Sequence, residues 1–239
     1  MQGLVRQLFE TVRSELVEER TRLFAAVAVA LVIGTSHAGN QQEEQLSHSV
    51  RTALNKAVSD QTTPFLAFAT QADARAWLDA MSNKLATRMP DRALREDFLV
   101  TVHYEAKRAG LDPQLVLGLI QVESAFRKYA ISSAGARGLM QVMPFWTRAI
   151  GSEDSNLFHL RTNLRFGCVI LRHYLDIERG DLFRALGRYN GSLGRPEYPN
   201  MVYAAWKQWE YTPPLPVTAG IMKTEGAVTT SPPPVLAPR

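Results

Sequence analysis

Glu123 closes an apolar, helix-patterned run, Leu115-Val116-Leu117-Gly118-Leu119-Ile120-Gln121-Val122-Glu123-Ser124. Val116, Leu119, Ile120 and Glu123 fall at spacings of three and four, so the carboxylate shares a helix face with side chains that seek burial. Burial disfavours its charged form, and the negative end of the helix dipole disfavours it further. Both effects raise the pKa. A carboxylic acid that holds its proton near neutral pH can act as a general acid and, once ionised, as a general base. Read alone, the same residue also fits a solvated glutamate in a final helical turn. A second chemically suggestive stretch follows fifteen residues later, Gly138-Leu139-Met140-Gln141-Val142-Met143-Pro144.

The elements that must position these residues read as helix after helix. Asp73 offers a cap and Pro90 a stop for a helix over 73–89, with Trp77, Leu78, Met81 and Leu85 as its stripe. Asp91 can cap a helix to Ala109 that carries Leu94, Phe98, Val102 and Ala106 along one face. Gly110 can close that helix, Asp112 can cap the next, and Pro113 fits its first turn. Gly135 and Gly138 suit a tight turn between helices. Asn163 to Glu178 forms a further helix, and Gly180-Asp181 ends it and caps one that delivers Tyr189 and Asn190 from its far end. A last helix bears Val202, Ala205, Trp206 and Trp209, an aromatic stripe read as core. No convincing strand alternation appears, and the expected class is all-α.

Three stretches, in order and at helix-length spacings, carry a family resemblance. Glu123-Ser124-Ala125-Phe126, then Ala130-Ile131-Ser132-Ser133-Ala134-Gly135-Ala136-Arg137-Gly138-Leu139-Met140-Gln141-Val142-Met143-Pro144, then Ala185-Leu186-Gly187-Arg188-Tyr189-Asn190-Gly191 together resemble the catalytic domain of soluble lytic transglycosylases. The likeness covers residues 92–210. It implies a lysozyme-like, goose-type helical fold, here with a helical N-terminal extension. It also implies that Glu123 is the single catalytic acid/base, that Ser124 follows it, that Ser132 touches the sugar, and that Gln141 and Met143 line the cleft. Tyr189 matches a phenol that hydrogen-bonds the catalytic carboxyl, and Asn190 its polar neighbour. Amide and hydroxyl side chains suit the hydroxyl and acetamido groups of glycan strands. Met140 reads as adaptable core. Two departures stand out: Arg127-Lys128 replaces an Asn-Pro pair common in relatives, and Gly191-Ser192-Leu193-Gly194 replaces a usual Ala-Gly continuation. Glu197 is a looser cleft candidate, with a surface glutamate as the alternative.

The resemblance implies a peptidoglycan lytic transglycosylase, an enzyme that needs no second carboxylate because the C6 hydroxyl of N-acetylmuramic acid is the attacking group. Glu123 would protonate the oxygen of the bond to N-acetylglucosamine and then accept the C6 proton, leaving a 1,6-anhydro end. Two alternatives stand beside it. One is a hydrolase of the same fold like goose-type lysozyme, with Glu197 or Asp154 activating water as a second acid does in most glycosidases. The other is an inactive wall-binding or assembly protein.

The N-terminus agrees with a wall substrate. Leu23 to Gly34 is a twelve-residue apolar block, preceded by Arg20 and Arg22 and followed by Ser36-His37-Ala38. That is the plan of a secretory signal peptide, and it is short for a membrane span. The runner-up is an uncleaved anchor, with membrane association through residues 20–38. The preceding stretch balances four acids against four bases, which fits initiation nearer Leu16 or Val17. The expected organisation is 1–38 leader or anchor, 39–72 linker or weak helix, 73–211 catalytic domain and 212–239 proline-rich disordered tail. The expected location is the periplasm or cell envelope, with a cell-wall or secretion-machinery protein as a further partner.

Composition excludes several other classes. The net charge of +4 over 239 residues suits an anionic wall polymer, and no basic stripe interleaved with aromatics supports nucleic acid. Cys168 is the sole cysteine and reads as a buried inert thiol. The five histidines lack ligand spacing, and His103 and His173 read as packing or surface residues. Neither a metal nor an organic cofactor is expected.

Overall fold

Four helices begin at a side chain that accepts a backbone N–H: Thr70, Asp91, Asp112 and Asp181. Each satisfies one of the donors that a helix start leaves unpaired. The computed structural model describes residues 41, 43–59, 62–151 and 154–213. The leader expected over 1–38 and the tail from 214 onward lie outside the described residues. Among these there are eight helices and no strand: α1 (His48–Ser59), α2 (Gln71–Leu85), α3 (Arg92–Arg108), α4 (Pro113–Ser124), α5 (Phe145–Ile150), α6 (Leu160–Ile177), α7 (Leu182–Asn190) and α8 (Glu197–Gln208). The only pairing of extended backbone among the described residues is two isolated antiparallel bridges, Ile131 with Arg137 and Arg137 with Val142. The all-α expectation holds.

α4 lies at the centre. Its Val116, Leu117, Leu119 and Ile120 are completely buried, and it packs against α3 on one side and α8 on the other. Gly118 sets how close α8 can come: a Cβ there would lie 2.7 Å from the backbone nitrogen of Trp206 and 2.8 Å from its Cα. On the other side of α3 runs α6, which also supports α1 and α7.

Helix limits moved where side chains found other work. Asp73 was expected to cap α2, but Thr70 does so, accepting from the Asp73 N–H at 3.0 Å and donating its own hydroxyl to the Asp73 carboxylate at 2.8 Å. That reciprocal pair is a variant of the capping box, in which Asp73, the third helical residue, accepts the Thr70 hydroxyl rather than its backbone N–H. α6 starts at Leu160, three residues before the expected Asn163, because the Asn163 side chain is used on the neighbouring loop.

The segment expected as linker or weak helix contains α1, whose C-terminal end is held by arginines. Arg108 donates to the Ala57 carbonyl at 2.6 Å and Arg165 to that of Val58 at 3.3 Å. Cations at a helix C-terminus satisfy its orphan carbonyls and oppose its dipole. Both guanidinium groups also pair with Glu105, which is fully buried, at 3.0 Å each. A buried carboxylate without those partners would be strongly destabilising. His103 fills the space between Phe68 and Trp77, stacked on the first at 4.6 Å and edge-on to the second at 4.9 Å. Burial pushes its pKa down to about 4, so it packs as a neutral ring. Cys168 is buried, and burial raises its thiol far above the usual range, as expected of an inert residue.

Candidate active site

The chain leaves α4 through two consecutive left-handed non-glycine residues, Ala125 at φ 50° and Phe126 at φ 65°. Such backbone is costly for residues with a Cβ and persists only where packing enforces it. Here the buried Phe126 ring enforces it, edge-on to Phe98 at 6.0 Å and Trp209 at 5.5 Å. Arg127 then returns both its backbone N–H and its Nε to the Ser124 carbonyl, each at 3.0 Å. The turn fixes the last helical residues, Glu123 and Ser124, at the end of α4.

Glu123 is only 3% exposed. Its Oε1 accepts the hydroxyl of Tyr198, from the first turn of α8. Its Oε2 is buried and has no hydrogen-bond partner among the described residues. Desolvation pushes the pKa up to about 8, with the Tyr198 hydrogen bond working in the opposite direction by favouring the carboxylate. Burial in turn raises the Tyr198 phenol, and the neighbouring Glu123 charge raises it further. The group therefore holds a proton at neutral pH and has one oxygen uncommitted, which is the state a general acid requires.

A loop of paired carbonyls and amides forms the next wall. Gly138 adopts φ 78°, and a Cβ there would meet the Asn163 Nδ2 at 2.3 Å, so glycine is required on two counts. Asn163 donates to the Arg137 and Leu157 carbonyls at 2.9 and 2.8 Å and accepts from the Met140 N–H at 2.8 Å. Ser132 caps the tight turn by accepting the Ala136 N–H at 3.1 Å, and its hydroxyl is half-buried rather than sealed. Met143 is likewise half-buried, beside the start of α5.

Several residues expected to meet substrate do something else here. Ser124 is 1% exposed and donates its hydroxyl back to the Ile120 carbonyl at 3.1 Å, a use that leaves it no face toward a sugar. Gln141 is also 1% exposed, and its Nε2 is used on the Gly138 and Ala130 carbonyls at 2.8 and 3.2 Å. It braces the loop rather than reaching out of it. Tyr189, expected to bond the catalytic carboxyl, donates instead to the Met140 carbonyl at 2.7 Å. It remains close enough for the Glu123 charge to help raise its own pKa. Asn190 binds the Ser192 hydroxyl through Nδ2 at 3.0 Å, and its buried Oδ1 has no partner among the described residues. Glu197 and Asp154 are both exposed, and no carboxylate contributes to the shift of Glu123.

Sequence reasoning missed Tyr198. Its only sequence signal was position: an aromatic just inside a helix preceded by Pro196, beside the acidic Glu197. It missed Gln41 as well, which lies in a polar stretch with no pattern to single it out. Gln41 is 5% exposed, and its Oε1 accepts from the Trp146 Nε1 at 3.0 Å and the Met143 N–H at 3.4 Å.

Fold and site together define a helical domain built around one buried, proton-holding carboxyl group flanked by tyrosines. Residues 101–209 match the family described as the Transglycosylase SLT domain. Among its relatives is the membrane-bound lytic murein transglycosylase C of Haemophilus influenzae (strain PittEE), 51% identical over 113 residues, covering 41% of this chain and 32% of the relative. The protein of that name from Actinobacillus pleuropneumoniae serotype 5b (strain L20) is 55% identical over 47 residues, 20% of this chain and 13% of the relative. The transglycosylase of Enterobacteria phage PRD1 is 34% identical over 98 residues, 41% of this chain and 36% of the relative. The matched stretches thus span 13% to 36% of the relatives' own length.

Proposed function

We propose that this chain is a peptidoglycan lytic transglycosylase, with Glu123 as its only acid/base. The observation that carries this reading is a carboxyl group buried in apolar surroundings with Oε2 unpartnered, and with no second carboxylate acting on it. In the first step the protonated Glu123 donates to the glycosidic oxygen between N-acetylmuramic acid and N-acetylglucosamine, and the bond to the anomeric carbon breaks. In the second, the Glu123 carboxylate takes the proton of the C6 hydroxyl on the same muramyl residue. The oxygen closes on the anomeric carbon, giving a 1,6-anhydro end and restoring the acid. The intramolecular nucleophile has the advantage of proximity, and the reaction needs no second carboxylate of the kind a hydrolase would use on water. Tyr198 supports the carboxylate in its second role by hydrogen bonding to the charged form. The names of the relatives, the +4 charge and the leader-like residues 20–38 support action at the cell envelope.

Digestion of purified murein followed by mass spectrometry tests the reading. The products are expected to end in anhydromuramic acid, one water lighter than hydrolysed ends. Glu123→Gln, which keeps the shape but carries no transferable proton, is expected to lower turnover by about a thousandfold or more. Hydrolysed ends would identify a muramidase instead. Turnover that survives the substitution would remove Glu123 from the mechanism, and binding without turnover in either form would indicate a wall-binding protein.

A further inference from the structure

The family match begins at residue 101, yet a residue sixty positions earlier is buried against the turn that leads into α5. Gln41 enters from the N-terminal side and buries its carboxamide between the start of α5 and the end of α7. Its Oε1 accepts two N–H groups of the same turn, from Met143 at the bottom and the Trp146 indole at the top. Trp146 also donates its backbone N–H to the Met143 carbonyl at 3.1 Å, so the two residues that Gln41 joins are already one unit. On the other side, Gln41 lies close enough to the Tyr189 hydroxyl to favour its ionised form, and its buried Nε2 has no hydrogen-bond partner among the described residues. Tyr189 in turn donates to Met140 and senses the charge of Glu123. The carboxamide thus binds the Met143 turn and lies near the tyrosine beside the acid.

The approach of this segment is fastened at further points. Glu44 pairs with Arg188 of α7 at 3.2 Å, and Asn55 of α1 donates to the Ile150 carbonyl at the end of α5 at 3.1 Å. Gln41 therefore arrives on an anchored stretch.

We propose that Gln41 is a positioning residue for the reaction, holding the Met143–Trp146 turn, and with it the cleft residue Met143, in the register that the reaction at Glu123 requires. The inference rests on the function proposed above. If Gln41 is lost, the buried Trp146 indole N–H is left without the oxygen it donates to. Such groups recover hydrogen bonds by shifting or by admitting water, and either change loosens the wall facing the acid. A misplacement of about 1 Å near a reacting centre can cost up to about a hundredfold in rate.

The test uses the full chain with Gln41→Met, which keeps length and volume but offers neither oxygen nor N–H, and Gln41→Glu assayed at pH 5. A glutamic acid that keeps its proton there retains an accepting oxygen and a donor. Three quantities are measured: kcat and KM for murein cleavage, the thermal midpoint, and the four tryptophan indole N–H resonances by NMR. The methionine variant is expected to lose about tenfold in kcat with KM within about twofold. It should remain folded at the assay temperature and shift the Trp146 indole resonance more than those of Trp77, Trp206 and Trp209. The glutamate variant at pH 5 is expected to recover kcat to within about threefold of the wild type at that pH. Wild-type kcat in the folded methionine variant, or an unmoved Trp146 resonance, overturns the proposal. Unfolding of both variants, or a kcat loss that matches the loss of folded protein, does so too, since each assigns Gln41 a purely structural part. Wild-type digestion that yields hydrolysed ends would reject the transglycosylase reading alone, because the Gln41 comparison is made on cleavage of the same bond.

Discussion

At the scale of single residues, the central relation is between Glu123 and Tyr198. The phenol donates to a carboxyl that burial holds near pKa 8 and thereby lowers that value from where desolvation alone would put it. Tyr198→Phe removes the donor and leaves the ring. The Glu123 pKa should then rise, so the fall of kcat/KM on the alkaline side moves to higher pH. Because a carboxylate without its donor is also a poorer partner for a developing charge, kcat should fall by roughly tenfold or more. A pH–rate profile from pH 5 to 10 checks both, and an alkaline limb that stays still or moves down would show that Tyr198 does not act on Glu123. This residue also marks the limit of what the sequence disclosed. The face shared by Val116, Leu119, Ile120 and Glu123 announced the buried acid, because burial follows helix periodicity. Its hydrogen-bond donor was assigned to Tyr189, since motif order carries no information on which of two tyrosines points at a carboxyl. Ser124 and Gln141 have side chains suited to a sugar, but their neighbours are backbone carbonyls, and a buried polar group must satisfy those first.

At the scale of elements, the site depends on how closely α4 and α8 approach, since one carries Glu123 and the other Tyr198. Gly118 fixes that distance, with the Trp206 backbone where a methyl group would go. Propensity alone says that Gly118→Ala should stabilise α4 by about 1 kcal/mol. Overpacking against backbone that cannot rotate away costs typically about 1–3 kcal/mol, and it should win here. The variant is expected to melt at lower temperature and to lose activity beyond its loss of folded protein, because the Tyr198–Glu123 contact opens. Urea unfolding and kcat for the same preparation measure this, and a variant at least as stable as wild type with full activity would show that the two helices can part freely. Helix starts were legible wherever a side chain caps locally, as at Asp91, Asp112 and Asp181. They were misread at Asp73, which pairs with the true cap Thr70, and at Asn163, expected as a first helical residue, which lies inside α6. The packing of α1 was not legible at all. Its end is held by Arg108 and Arg165, residues about fifty and a hundred positions away.

At the scale of the whole molecule, the buried acid links folding to pH, and the sign can be worked out. Glu123 titrates at about 8 in the folded chain against an ordinary value of 4.5. A group whose folded pKa is raised binds its proton more tightly in the native state. Its contribution to stability is complete below about pH 4.5 and is lost as pH rises through about 8, at a slope of at most about 1.4 kcal/mol per pH unit. His103, with a folded pKa near 4, acts in the opposite sense at low pH, and other groups add their own terms. A difference between two chains that share all of these cancels them. Glu123→Gln replaces the titrating group by a neutral amide of the same shape, so its stability relative to wild type should increase steadily from pH 5 to pH 8 and then level off. Urea denaturation of both proteins at half-unit pH steps measures the difference directly. A difference that stays flat across the window would mean that Glu123 is already ionised in the folded chain, and the proton needed for the first step of the proposed reaction would then be absent at neutral pH. If the difference rises as expected, the substitution that abolishes catalysis gains stability relative to wild type as the acid ionises, the outcome expected where a carboxyl group is kept for chemistry at the expense of folding.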